Sequence, residues 1–337
     1  MNWIACSGAG AKPAVPDTDT RPPVVFLMGP TASGKTALAV ELAQRLPVQI
    51  ISVDSALVYR GMDIGAAKPD AATLRRAPHR LIDILDPAEA YSAGQFRSDA
   101  RREISAIQAA GQIPLLVGGT MLYFRALERG LATLPAADAT VRARLAAIIA
   151  EQGSAVLHRQ LAMQDPIAAA RIHPHDAQRI QRALEVWELT GRPLTELCHA
   201  AHNESLPFRI VKLIIAPGER SILHQRIAQR FQTMLEQGFI AEVQQLRSRG
   251  DLDLNKPALR AVGYRQVWRY LEGALDYPAL IVQGVAATRQ FAKRQLTWLR
   301  AETDAHWLDS TAPDRWDRVM TVLRQTRVFS DMTRWLC

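Results

Sequence analysis

Residues 24–36 read Val-Val-Phe-Leu-Met-Gly-Pro-Thr-Ala-Ser-Gly-Lys-Thr, and the organisation of the chain follows from them. Val24 to Met28 is a continuous apolar run closed by Gly-Pro, the pattern of a strand covered on both faces in a parallel sheet. Gly29, Pro30, Thr31, Ala32, Ser33, Gly34, Lys35 and Thr36 then match G-x-x-x-x-G-K-[ST] in full. Apolar residues at 38, 39, 42, 43 and 46 predict an amphipathic helix, which Pro47 breaks. A second strand is predicted over 49–53 and runs straight into Asp54. Strand, glycine loop, helix and strand make one βαβ unit, the setting in which this motif is a phosphate site rather than a chance turn. Its amides turn inward as a nest at a helix N-terminus. Lys35 adds a point charge, and the Thr36 hydroxyl suits Mg²⁺. The motif alone does not say whether a di- or a triphosphate is bound.

Working outward, the run 81–85 (LIDIL) reads as a short strand and residues 94–110 as a helix ending at Gly111. Residues 113–117 give a further buried strand, closed by Gly118, Gly119 and Thr120. This alternation predicts a doubly wound α/β core. From about 135 to 200 strand signals vanish and Ala/Arg/Leu/Gln-rich helical patterns take over, which reads as a helical insertion. The run 209–216 (RIVKLIIA) returns to the sheet, and helices follow to about 308. The expected division is a disordered leader at 1–23, a first core part at 24–134, the insertion at 135–200, a second, helical core part at 201–310 and a tail at 311–337. Asp54, at the sheet edge where open α/β folds place ligands, is a candidate metal ligand, ribose ligand or general base. Read alone, it is as well an N-cap or a loop salt bridge. Gly118-Gly119-Thr120 offers close backbone approach and a hydroxyl, or a plain strand-to-helix turn.

The 337 residues carry 41 Lys+Arg against 33 Asp+Glu, a formal charge of +8, with 48% hydrophobic and 22% charged residues. Disordered and collagen-like classes are excluded. No apolar run approaches the ~20 residues of a membrane span, and the N-terminus does not read as a signal peptide. Cys6, Cys198 and Cys337 are odd in number and far apart, against a disulfide framework or a zinc site. A cytoplasmic, membrane-free protein, expected as a monomer, fits these features. Basic residues cluster at 171–182, 226–230 and 289–300, which favours a nucleic-acid partner over a merely solvated surface. On a helix over 289–300, Arg289, Lys293 and Arg300 share one face with Leu296, while Trp298 lies nearly opposite and reads as core.

The ordered set GPTASGKT, DSALVYRGMDIGAAKP, GGTMLYFRAL, RIHPHDAQRIQRALEVWELTG, RAVGYRQ and ATRQFAKRQLTWLR resembles the bacterial tRNA dimethylallyltransferases from about Val24 to Leu308. Ala66 departs from the family, where threonine is more common. The resemblance implies a P-loop NTPase-like α/β fold, with a parallel sheet core and an inserted helical domain. It implies transfer of a dimethylallyl group from dimethylallyl diphosphate to N6 of the adenosine 3′ of the anticodon, with diphosphate released and Mg²⁺ as cofactor. Asp54 is implied as the base, Thr120 as its channel-lining neighbour, and Arg230, or else Arg226, as a diphosphate ligand. The diphosphate falls to Gly29 through Thr36, with Thr36 on the metal. Implied tRNA contacts are Asp54, Ser55, Ala56, Leu57, Thr120 and Arg142. Gln178, Arg179, Ile180, Gln181 and Arg182 follow, then Arg260, Ala261, Val262, Gly263, Tyr264 and Arg265. The last are Lys293, Arg294, Gln295, Leu296, Thr297, Trp298, Leu299 and Arg300. By the same resemblance, the insertion clasps the anticodon stem-loop.

Two other readings share the phosphate loop: a small-molecule P-loop kinase, and a non-catalytic RNA-binding ATPase switch. The absence of a clear Arg-rich lid motif and the basic clusters far along the chain weigh against the kinase.

Overall fold

A computed structural model describes residues 19–132, 134–200 and 205–329. The leader expected at 1–23 falls mostly outside these residues, as do Cys6, Cys337 and the end of the tail. The chain divides into two compact units, Ala126–Ser205 and the segments on either side of it.

The larger unit begins with β1 (Pro23–Met28), α1 (Lys35–Arg45), β2 (Val48–Val53), α2 (Ala71–Arg76) and β3 (His79–Arg80). It continues through α3 (Ala93–Ala109) and β4 (Ile113–Gly118) into α4 (Met121–Arg129), which crosses the boundary between the units. The smaller unit holds α5 (Ala139–Gln152), α6 (Ser154–Gln164), α7 (Pro166–Arg171), α8 (Ala177–Thr190) and α9 (Leu194–Ala200). The chain then returns as β5 (Arg209–Ala216), α10 (Arg220–Glu236), α11 (Phe239–Ser248), α12 (Tyr264–Leu271), α13 (Tyr277–Leu299), β6 (His306–Asp309) and α14 (Arg315–Gln325).

The six strands lie in the order β3-β2-β4-β1-β5-β6, every neighbour parallel. Five of the six β1 residues are buried, as the apolar run requires of a central strand. Leu38 and Leu42 of α1 and Val319 and Leu323 of α14 pack on one sheet face against Val25, Leu27, Leu115 and Leu213. The stretch past 310, whose helical pieces and basic residues suggest no role by themselves, thus supplies a helix to the core. A second core gathers α10 to α13 around Phe231, Phe239, Tyr264 and Trp268, and takes in Val58, Tyr59 and Met62.

Two strand expectations change. Residues 81–85 do not form a strand: Leu81 and Asp83 sit at φ +62° and +57°, left-handed values that break an extended run. The third strand is instead His79–Arg80, paired to Ile50 and Ile51. Strand β6 carries no sequence signal, since it is a four-residue edge strand with no β-branched residue.

In the smaller unit, Leu145, Leu157, Leu161, Ile180 and Leu184 form a separate core. Glu185 is fully buried and accepts from the Asp138 amide at 2.9 Å, Arg142 Nε at 2.8 Å and Arg182 Nη1 at 2.6 Å. Burial works to raise its pKa, but the arginine and amide hydrogen bonds outweigh this, so the net shift is downward.

A Cβ at Gly118 would lie 1.9 Å from the Val53 carbonyl oxygen, a clash with backbone that no rotamer relieves. Gly118→Ala is therefore expected to cost about 2 kcal/mol or more, read as a lowered urea midpoint with unchanged m-value.

Candidate active site

Sheet register assembles the site. Gly118 pairs with Met28 of β1 and with Val53 of β2, so the loops that follow these three strands leave from one level. Gly29 turns away beneath β5, where a Cβ would lie 2.2 Å from the Ile215 carbonyl oxygen. Gly34, at φ +92°, caps α1 in the left-handed conformation that the motif glycine supplies. Lys35 Nζ folds back on the loop, donating to the Pro30 carbonyl at 2.6 Å, with Ser33 Oγ at 3.5 Å.

These loops line a cavity of about 490 Å³, together with α10 and α13. Thr31, Lys35, Thr36, Asp54, Arg230 and Arg294 supply its polar side, and Tyr59, Tyr123, Phe231, Met234 and Phe291 much of its apolar side. Half the pocket therefore suits a phosphate and half a hydrocarbon.

Burial dominates the electrostatics. It pushes Lys35 down to about 7; the Asp54 carboxylate opposes that fall and the Arg230 guanidinium adds to it. Burial likewise lowers Arg230, again opposed by Asp54. Asp54 thus lies within electrostatic reach of both cations. Its Oδ1 accepts from the Ala56 amide at 2.8 Å, and Thr120 Oγ1 accepts from the Ser55 amide at 3.1 Å, so two bonds fix the loop that carries the carboxylate. Arg230 lines this cavity, whereas Arg226 donates to Ser310 Oγ at 3.0 Å and lines a neighbouring one.

The oxygen donors fit a hard cation. Thr36 is exposed at the start of α1, Asp54 lines the same cavity, and Ser52 is buried there with its hydroxyl unpartnered. Mg²⁺ commonly takes one or two protein oxygens and completes its shell with phosphate and water. Among the described residues no cluster of three or more His, Cys, Asp or Glu forms a protein-only metal site.

One buried carboxylate shapes the apolar wall. Glu242 accepts from the amides of Asp63, Ile64 and Gly65 at 2.8, 2.6 and 3.1 Å and from the Tyr264 hydroxyl at 2.7 Å. The Tyr264 oxygen in turn accepts from the Ala66 amide at 3.1 Å. Gly65 and Ala66 line the cavity. Glu242 is missing from the sequence-derived candidates because its partners lie far along the chain; locally it is one acidic residue on a short amphipathic helix.

The implied tRNA residues separate into groups. Arg260, Arg265, Lys293, Arg294 and Arg300 are exposed on the larger unit, and Gln178 and Arg179 on the smaller. Arg142 and Arg182 are committed to Glu185, though Arg142 remains half exposed. Ile180, Tyr264 and Leu299 are fully buried and Leu296 nearly so, with Tyr264 among the residues that line the cavity. Gln295 is also buried, bonded into the phosphate loop. Trp298 is only half-buried, with the Arg125 guanidinium 4.7 Å over its ring, rather than in the core.

A parallel sheet with a phosphate loop, two half-buried cations and a carboxylate within their electrostatic reach defines a P-loop protein. The family model for IPP transferases matches residues 57–302, and that for isopentenyl transferases matches 22–85. The chain belongs to the IPP transferase family. The crystal structure of the full-length tRNA isopentenylpyrophosphate transferase from Bacillus halodurans is 37% identical, with 92% of this chain and 98% of that one covered and a TM-score of 0.66. The Staphylococcus epidermidis tRNA delta(2)-isopentenylpyrophosphate transferase is 32% identical over 91% and 100%, at 0.64. A eukaryotic dimethylallyltransferase acting on tRNA is 26% identical over 92% and 80%, at 0.74. No helix among the described residues is long and apolar enough to cross a membrane.

With Lys35 at about 7 in the ligand-free pocket, its amine is mostly neutral at pH 8. A bound diphosphate favours the ammonium, so Lys35 is expected to take up a proton on binding at pH 8, set against any proton the diphosphate itself releases. Calorimetry with inorganic diphosphate in buffers of different ionisation enthalpy measures that uptake. Lys35→Arg, which cannot release its proton, is expected to abolish it.

Proposed function

We propose that this chain moves a dimethylallyl group from dimethylallyl diphosphate to N6 of the adenosine 3′-adjacent to the anticodon in tRNA. The observation that carries this reading is the meeting of Lys35, Arg230 and Asp54 at one cavity that also has an apolar wall. An allylic diphosphate ionises readily, so catalysis consists largely of stabilising the departing charge. The loop amides, Lys35 and Arg230 would do that in a partly dry pocket, where each is worth more than in water. Mg²⁺ at Thr36 would supply further positive charge to the leaving diphosphate.

The acceptor amine is a poor nucleophile, because its lone pair is delocalised into the purine. As the C1–O bond of the donor breaks and the C1–N6 bond forms, N6 must shed a proton, and Asp54 is the carboxylate in place to accept it. Thr120, through the Ser55 amide, holds the loop on which Asp54 sits. The base must leave its stack to enter, and the aromatic wall around Tyr123 and Phe231 limits water at the allylic carbon. Arg260 and Arg294 at the pocket, with the exposed Arg265 and Lys293, offer phosphate contacts. A tRNA substrate implies a cytoplasmic site of action.

Incubation with unmodified tRNA and labelled dimethylallyl diphosphate, with labelled ATP in a parallel reaction, is expected to place label in tRNA from the allylic donor alone. Turnover of ATP without prenyl-adenosine would overturn the reading. Asp54→Ala is expected to lower transfer about 10²–10⁴-fold. Its diphosphate affinity should stay the same or tighten, since a repelling carboxylate is removed.

A further inference from the structure

Two loops hold the two halves of the proposed reaction. The phosphate loop takes the leaving group, and the turn after β4 braces the segment that carries the base. Beyond the β1–β4 pairing at their roots, one side chain bonds to both. Gln295, on α13, is 5% exposed. Its Oε1 accepts from the Thr31 amide at 2.8 Å, and its Nε2 donates to the Gly119 carbonyl at 2.8 Å. The fit leaves no slack, because a Cβ on Gly119 would lie 2.2 Å from Gln295 Nε2. The next residue, Thr120, accepts from the Ser55 amide at 3.1 Å, directly beside Asp54. A continuous path of hydrogen bonds and backbone thus runs from the phosphate loop through Gln295 to the base.

We infer that Gln295 is a positioning residue that holds the diphosphate loop and the base-bearing loop in register for transfer. This rests on the reading that the P-loop holds the donor diphosphate. Both polar atoms of the Gln295 amide are bonded to backbone; through them it sets where the allylic carbon sits relative to the amine and Asp54. Misplacement by an ångström costs rate steeply while ground-state binding survives. It also has a chemical signature. When the carbon is not aligned with N6, water captures it: the C1–O(diphosphate) bond breaks, a C1–O bond to water forms, and a proton goes to solvent. The products are dimethylallyl alcohol and diphosphate.

Gln295→Met keeps the length of the side chain and removes both hydrogen bonds. Gly119→Ala displaces the same amide from the other side. In single-turnover reactions with tRNA, each is expected to slow transfer about 10–100-fold, with diphosphate Kd within threefold of the starting protein. Each is expected to raise the ratio of dimethylallyl alcohol to prenylated tRNA at least tenfold. An unchanged ratio in either folded variant would overturn the inference, as would a loss of rate matched by an equal loss of diphosphate affinity. If the unaltered protein neither binds diphosphate nor prenylates tRNA, the donor reading itself falls, a different result from an unaltered ratio in an active enzyme.

Discussion

The constraint on which the site depends is the joint ending of three parallel strands. Gly118 lies beside both Met28 and Val53, close enough that a methyl group in place of its hydrogen meets the Val53 carbonyl. Through that contact the phosphate loop, the Asp54 loop and the Gly119–Thr120 turn leave the sheet side by side. Side chains more than sixty residues apart then work at one another's edge. The outer helices, the second aromatic core and the α14 cover all act on chemistry through this level, by keeping it rigid.

Charge placement has a cost that this geometry absorbs. Lys35 and Arg230 stand in a pocket whose burial disfavours both cations, and each is partly relieved by Asp54. The resting pocket is therefore short of negative charge, which on the proposed reading an incoming diphosphate would supply. A site arranged this way binds an anion because of its own internal imbalance, and it returns to that imbalance when the product leaves.

The part of the fold written in local pattern was legible. The apolar run before Gly29, the full loop motif and the strand over 209–216 each carry their signal within a few residues, and the structure has them. Where local pattern was thin, reading failed. Residues 81–85 look like a strand, but two left-handed residues interrupt them. The edge strand 306–309 has no composition to betray it. Asp54 and Arg230 could be nominated by type and by resemblance, yet what brings them together is tertiary. Gln295 and Glu242 show the limit most clearly. Their partners are 176 to 264 and 22 to 179 residues away, so nothing beside them in sequence separates a structural amide or carboxylate from an ordinary polar residue on a helix. Gln295, inside a basic run, even reads as part of a nucleic-acid surface.

The clasp around Glu242 has a bearing on how a ligand is oriented. Successive amides at 63–65 converge on one carboxylate as they would on a bound anion, so this loop is an anion cradle that the protein has filled from within. The cavity is bordered by two amide-bearing loops; one opens toward a guest, the other has spent the amides at 63–65 on Glu242. On the proposed reading, a molecule with a charged head and a greasy tail would lie with its head toward Lys35 and its tail toward Gly65 and Ala66. Polarity of binding is written by the neutralised loop as much as by the open one.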